Sequence, residues 1–188
     1  MREFLLLASK AKTTPDFDVN NLVGAGRMDL VCRVVSNSLC VSNNIRKDTI
    51  IHVSLNGARD PPKLLSVYGD KIIGIQPDEK TIGILIRDAL SKKEKTGITV
   101  SKISFEAFLK EKIKTHQLVY LEKSGKDIRT NSFKKDVLFI LGDYAGLPDK
   151  TELFLDNLGA ERISLGPAML LASQCVTIIH NELDRKIV

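Results

Sequence analysis

The chain has 188 residues, 43% of them hydrophobic, with 28 Lys and Arg against 23 Asp and Glu for a formal net charge of +5. That is core enough for one globular domain, and no run approaches the roughly 18 consecutive apolar residues of a membrane span; the opening segment is too short and too early acidic for a secretory signal, so a cytoplasmic protein is expected. Three cysteines without CxxC spacing and three scattered histidines indicate neither a disulfide framework nor a metal site, while 5% aromatic content without Trp argues against a stacking-platform RNA reader.

Arg2 to Ser9 reads as an opening buried strand, followed by a polar, turn-rich loop from Lys10 to Asn21. Leu30, Val31, Val34, Val35 and Leu39 recur at helical spacing, predicting an amphipathic helix over 28–41 entered through Gly24-Ala25-Gly26-Arg27. Thr49 to Leu55, Lys63 to Tyr68 and Ile72 to Ile75 are strand candidates, with Asn56-Gly57 as a turn signal. Asp78-Glu79 after Pro77 open a helix running to Leu90, with acids at its start and Lys92-Lys93 beyond its end, as the helix dipole prefers.

A strand over 96–100, a helix over 105–113 and a strand over 117–121 continue the alternation, which is that of an α/β fold without an internal repeat or a linker. Lys110, Lys112 and Lys114 read as a solvated helix face. Val137 to Leu141 running into Gly142-Asp143, and Arg162 to Leu165 running into Gly166-Pro167, are continuous apolar strands of a parallel sheet covered on both faces, and a helix is expected from Ala168 to Leu183. Ligands of such sheets lie outside the carboxyl ends of the strands, which directs attention to the loops after Leu121, Leu141 and Leu165. Glycine there lets peptide groups approach a ligand, although glycine also ends strands for steric reasons alone. The chain lacks GxGxxG after its first strand, and it contains neither GxxxxGK[ST] nor GxSxG, which disfavours a standard dinucleotide fold, a P-loop enzyme and a serine hydrolase.

Arg162-Ile163-Ser164-Leu165-Gly166-Pro167, followed by Leu170-Leu171-Ala172-Ser173-Gln174-Cys175, resembles the C-terminal motif of SPOUT methyltransferases. Together with Gly24-Ala25-Gly26-Arg27-Met28-Asp29-Leu30-Val31-Cys32-Arg33, Pro77-Asp78-Glu79 and Leu141-Gly142-Asp143, it resembles more narrowly the archaeal tRNA pseudouridine-54 N1-methyltransferase family, TrmY, over essentially the whole chain. The resemblance implies a single SPOUT domain over 1–188, mostly parallel sheet flanked by helices, with an RNA-facing N-terminal part (1–115) and a knotted cofactor-binding part (116–188) whose deep trefoil only this likeness licenses. It also implies S-adenosylmethionine as methyl donor, tRNA as substrate and a homodimer using the C-terminal helix.

By the same resemblance the donor site comprises Leu121, Gly142, the segment Leu165, Gly166, Pro167, Ala168, Met169 and Leu170, and Cys175. Cys175 lies on an apolar helix, suits packing and is given no nucleophilic role. Methylating N1 requires loss of its proton, and Asp29, beside Arg27, is the candidate general base; an Asp in a first helical turn also simply complements the helix dipole. Arg27, Arg33, Arg46 and Arg59, with Lys10 and Lys12, are the candidate phosphate contacts. A ribosomal-RNA pseudouridine N1-methyltransferase and a non-catalytic RNA-binding protein of the same fold are the rival readings.

Overall fold

In the computed structural model, which describes residues 1–186, the first apolar run is the central strand β1 (Arg2–Ala8). It pairs in parallel with β4 (Thr49–Leu55) on one side and β8 (Val137–Gly142) on the other. Successive side chains of a strand point to opposite faces, and here both faces are covered: Phe4 and Leu6 pack on one side, Leu5 on the other, all fully buried. This is why β1 and β8 read as unbroken hydrophobic runs instead of alternating ones.

The sheet has seven strands in the order β6-β5-β4-β1-β8-β7-β9, where β5 is Lys63–Tyr68, β6 Ile98–Ser101, β7 Gln117–Asp127 and β9 Glu161–Ser164. From β4 through β9 along the β1 side every pair is parallel, whereas β5 and β6 join antiparallel at the other edge. On one face lie α1 (Met28–Leu39), α2 (Glu79–Leu90) and α5 (Ala172–Arg185); on the other lie α3 (Phe105–Lys112) and α4 (Asp149–Asn157). A two-stranded hairpin, β2 (Cys40–Val41) with β3 (Asn44–Ile45), follows α1 directly. Asp78 caps α2, its carboxylate accepting from the Thr81 amide at 2.7 Å, and Ser104 caps α3 in the same way at 3.1 Å.

Four expectations are corrected. Ile72–Ile75 is no strand: Ile72 and Ile75 anchor an irregular turn in the core and Ile73 points out, 70% exposed, so the apolar spacing reflects two anchors and not a pleat. The last helix begins at Ala172, because Gly166 to Leu171 form an extended loop around a cavity. The strand beginning at Gln117 does not stop at Leu121 but continues through a bulge, so that Leu121 and Lys126 both lie opposite Ile163 of β9. Finally, Lys112 is not part of a solvated face; its ammonium donates to the buried carboxylate of Glu3, which His52 and His116 also engage, each at 2.9 Å.

Candidate active site

Because β7, β8 and β9 run parallel, the bulged stretch 121–123 of β7 and the loops after β8 and β9 lie at one edge and converge with the first turn of α5 around a cavity of about 390 Å3. Small-molecule sites occupy roughly 300–1,000 Å3, so the space suits a nucleoside-sized ligand. Leu121, Gly142, Leu165, Gly166, Ala168, Met169, Leu170 and Cys175 all line it; Pro167, in the same loop, is exposed and stands outside the lining. Leu30, Leu141, Ile163 and Ala172 complete the apolar wall, and Glu122, Asp143 and Glu152 set carboxylates at its edges.

Two glycines make this shape possible. A Cβ on Gly142 would stand 2.3 Å from the Gly146 carbonyl carbon, so the loop after β8 folds back on itself in backbone contact. Gly166 has φ +122°, and a Cβ there would meet no atom within 4 Å, so the glycine stands in open space beside the cavity, its amide and carbonyl engaged only by the Ser164 hydroxyl at 3.3 and 3.4 Å. Apolar walls, open space beside Gly166 and nearby carboxylates that suit a cationic group fit S-adenosylmethionine. Burial pushes the Cys175 thiol up to about 11, so it is an uncharged packing group.

Next to this cavity lies a cationic rim. Arg27 enters α1 with a left-handed φ of 66°, which turns its side chain back along the helix start. Its Nε and Nη2 donate to the two carboxylate oxygens of Asp29 at 3.0 and 3.1 Å, and Arg33, one turn on, donates to the same carboxylate. Burial by itself would raise the Asp29 pKa, but the hydrogen bond and charge of Arg27 and the charge of Arg33 outweigh it and hold the carboxyl below its usual range. Asp29 is thus a buried anion at 3% exposure with both oxygens engaged by arginines.

The rim and the cavity meet at Asp143 and Tyr144. Asp143 accepts from the Ser9 amide at 2.8 Å, from the Ser9 hydroxyl, and from the Ala145 amide at 2.9 Å, which ties the loop after β8 to the end of β1. Tyr144 lines the cavity and also lies 5.3 Å from the Arg27 guanidinium and 5.8 Å from the Lys10 ammonium. Neither residue is a sequence-level candidate on its own, although the loop after Leu141 is; a tyrosine inside a glycine-bounded loop is the signal that could have named it.

Of the other candidate phosphate contacts, Arg46 pairs with Asp184 at 3.1 and 2.7 Å, twelve residues along α5 from Ala172, which at 1.5 Å per residue is about 18 Å from the cavity end. Arg59 is 76% exposed and pairs with Asp16 in the loop before α1. The structure therefore gathers Arg27 and Arg33 but not Arg46 at the rim.

A family model described as "Putative SAM-dependent RNA methyltransferase" matches residues 1–188. The tRNA (pseudouridine(54)-N(1))-methyltransferase of Methanococcus vannielii is 40% identical over 196 residues, covering 98% of this chain and 99% of that protein. Its counterparts in Methanococcus aeolicus, at 38% over 200 residues (98% of each chain), and Methanocaldococcus jannaschii, at 37% over 201 residues (99% and 98%), are similarly close. Among solved structures, Archaeoglobus fulgidus Nep1 bound to S-adenosylhomocysteine matches with a TM-score of 0.67 at 14% identity, over 98% of this chain and 97% of that one. The SpoU methyltransferase AviRb from Streptomyces viridochromogenes, in complex with AdoMet, matches at 0.52 and 14%, over 98% and 57%. At these identities the structural likeness establishes the fold alone.

Proposed function

The chain belongs to the SAM-dependent RNA methyltransferase family, with the tRNA (pseudouridine(54)-N(1))-methyltransferases as its relatives, and from that premise we propose that it methylates N1 of pseudouridine 54 in tRNA. One observation carries the reading: a donor-sized cavity and a cationic rim share a single loop, Gly142 to Leu147, so a donor and an RNA strand can meet there.

S-adenosylmethionine supplies an electrophilic methyl group on a sulfonium. Leu121, Leu165 and Leu170 would hold its purine between apolar walls, with the backbone of the loops after β8 and β9 near enough to meet its edge. Arg27, Arg33 and Lys10 take RNA phosphates, and each phosphate neutralised adds a salt-sensitive increment of affinity. Asp29 holds the Arg27 fork in one orientation, and most of the acceleration comes from alignment of nitrogen and methyl carbon. As the nitrogen–carbon bond formed, the sulfonium carbon–sulfur bond would break to leave the thioether S-adenosylhomocysteine, and the N1 proton, made strongly acidic by methylation, would pass to solvent at the open rim.

Three further features belong to this reading. The chain after β9 threads as a trefoil knot, a reading that rests on membership of the family. The enzyme is a single-domain cytoplasmic homodimer, supported by Met169 and Leu171, 90% and 55% exposed in the donor loop, which a second copy would cover. Incubation with labelled donor and tRNA carrying pseudouridine in its T-loop, followed by digestion and mass spectrometry, should find the label on N1-methylpseudouridine. Label confined to ribose or to another base would refute the assignment.

A further inference from the structure

We propose that Tyr144 is the platform on which the acceptor nucleobase lies during transfer, with Arg27 and Lys10 beside it taking the adjoining phosphates. The inference rests on the methyl-transfer reading and assigns a residue to the acceptor side of that site.

Of the seven phenylalanines and three tyrosines of the chain, Tyr144 alone is exposed, at 46%; Tyr120 is fully buried and Tyr68 partly so. An exposed aromatic in a protein this poor in them, placed at the mouth of this cavity, does not contribute to the core. The ring is also held in place. Its loop is pinned by the Asp143 carboxylate on Ser9 and Ala145, and by the Gly146 amide donating to the Asp143 carbonyl at 3.0 Å. A base laid on it therefore meets a preordered surface and not one that must be ordered on binding.

Chemistry sets the rest. The acceptor nitrogen must reach contact distance from a methyl group inside the cavity, and a base stacked in an RNA loop cannot bring its edge there; it must be swung out and supported at the mouth. An aromatic face supports any base in that way, without reading its edge. The neighbouring cations divide the remaining work: Arg27, fixed by Asp29, is a rigid phosphate fork, and Lys10, exposed on a flexible stem, can follow the strand.

The test uses the full-length protein, S-adenosylmethionine and a T-loop RNA containing pseudouridine, with Tyr144→Leu and Tyr144→Phe. Tyr144→Leu should lower kcat/KM for RNA on the order of ten- to a hundred-fold, the span expected for one lost base–aromatic stack. Melting temperature should stay at the wild-type value, any loss of donor affinity read by calorimetry should be much smaller than the loss in kcat/KM because Tyr144 also lines the cavity, and Tyr144→Phe, which keeps the ring, should restore most of the rate. A Tyr144→Leu enzyme as fast as wild type overturns the inference. So does a Phe variant as slow as the Leu one, or a loss that follows donor affinity. A wild-type protein that binds donor but leaves the RNA unmethylated overturns the methyl-transfer reading as well, whereas an active wild type with an indifferent Tyr144→Leu overturns the platform alone.

Discussion

Replacing Asp29 by Asn separates the two roles an aspartate at this position can have. The carboxylate accepts two hydrogen bonds from Arg27, at 3.0 and 3.1 Å, and one from Arg33. A neutral amide keeps the shape, offers one acceptor in place of two charged ones, and turns N–H groups toward a guanidinium. Hydrogen bonds to charged groups contribute about 1.5–3 kcal/mol each when buried, but the arginine side chains are 36% and 40% exposed, and screening reduces the combined loss to about 1–2 kcal/mol. For a domain of this size that is a fall in Tm of roughly 2–8 °C. Arg27, no longer held, must be ordered by the RNA itself, so KM for tRNA should rise about ten-fold, equivalent to about 1.4 kcal/mol, with donor affinity preserved. A general base leaves another signature: kcat falling about 10²- to 10⁴-fold at unchanged KM. Steady-state kinetics on tRNA, with donor binding by calorimetry, distinguishes them. A kcat drop of that size without a KM effect would refute the anchoring role, and unchanged kinetics would remove Asp29 from the site.

Acid should destabilise the protein before its carboxylates titrate. His180 is buried, its Nε2 donating to the Ser38 carbonyl at 3.0 Å and its Nδ1 accepting from Arg2 at 3.2 Å, and burial with the charges of Arg46 and Arg2 lowers its pKa from 6.5 to about 4. The unfolded chain then binds the extra proton, so stability falls as pH drops from 6.5 toward 4, by roughly 2 kcal/mol at pH 5 at 1.36 kcal/mol per pKa unit. Buried His52 shifts in the same direction, whereas Glu3 and Asp184, held near 2, lose their contributions only below the ordinary carboxylate range. Urea midpoints that stay level from pH 7 to pH 5 would contradict this. Gly142→Ala forces a Cβ into the Gly146 backbone, 2.3 Å away, and should cost about 1–3 kcal/mol with a marked loss of donor binding; wild-type Tm and affinity would show that the loop is not packed as described.

Much of the fold was legible because it is written in local periodicity. β1, β4, β5, α1, α2 and α3 fall within a residue or two of where hydrophobic spacing and capping residues put them, and Asp78 caps α2 where an acid after Pro77 suggests. The misses share a cause, namely that pattern cannot report what a side chain meets. Ile72 and Ile75 are spaced like a strand but anchor a turn, and Lys112 carries its charge to Glu3 at the other end of the sequence. Of the nine residues that family motifs indicate for the cofactor, eight line the cavity and Pro167 does not, while thirteen further lining residues were not indicated. Tyr144 was not legible, since its meaning lies in what stands beside it and in its being the one exposed ring.

The same limit explains why the site depends on β1. Ser9, at the end of that strand, holds Asp143 of the donor loop, and the segment just beyond it is bound to the loop after β4: the Asn56 amide donates to the Ala8 carbonyl at 3.0 Å, the Gly57 amide to the Ala11 carbonyl at 2.9 Å, and the Thr13 hydroxyl to the Gly57 carbonyl at 3.1 Å. Lys10 therefore leaves a backbone fixed on both sides, and the rim and the cavity are kept in register by a strand buried among its neighbours and not by the arginines themselves. Because β1 is central, the strand end that carries these ties is held by the sheet, so the rim and the cavity share a rigid base even though the Ser9–Asp143 bonds themselves are exposed. A reaction that gains most from holding two atoms in line needs that rigidity more than it needs a strong base.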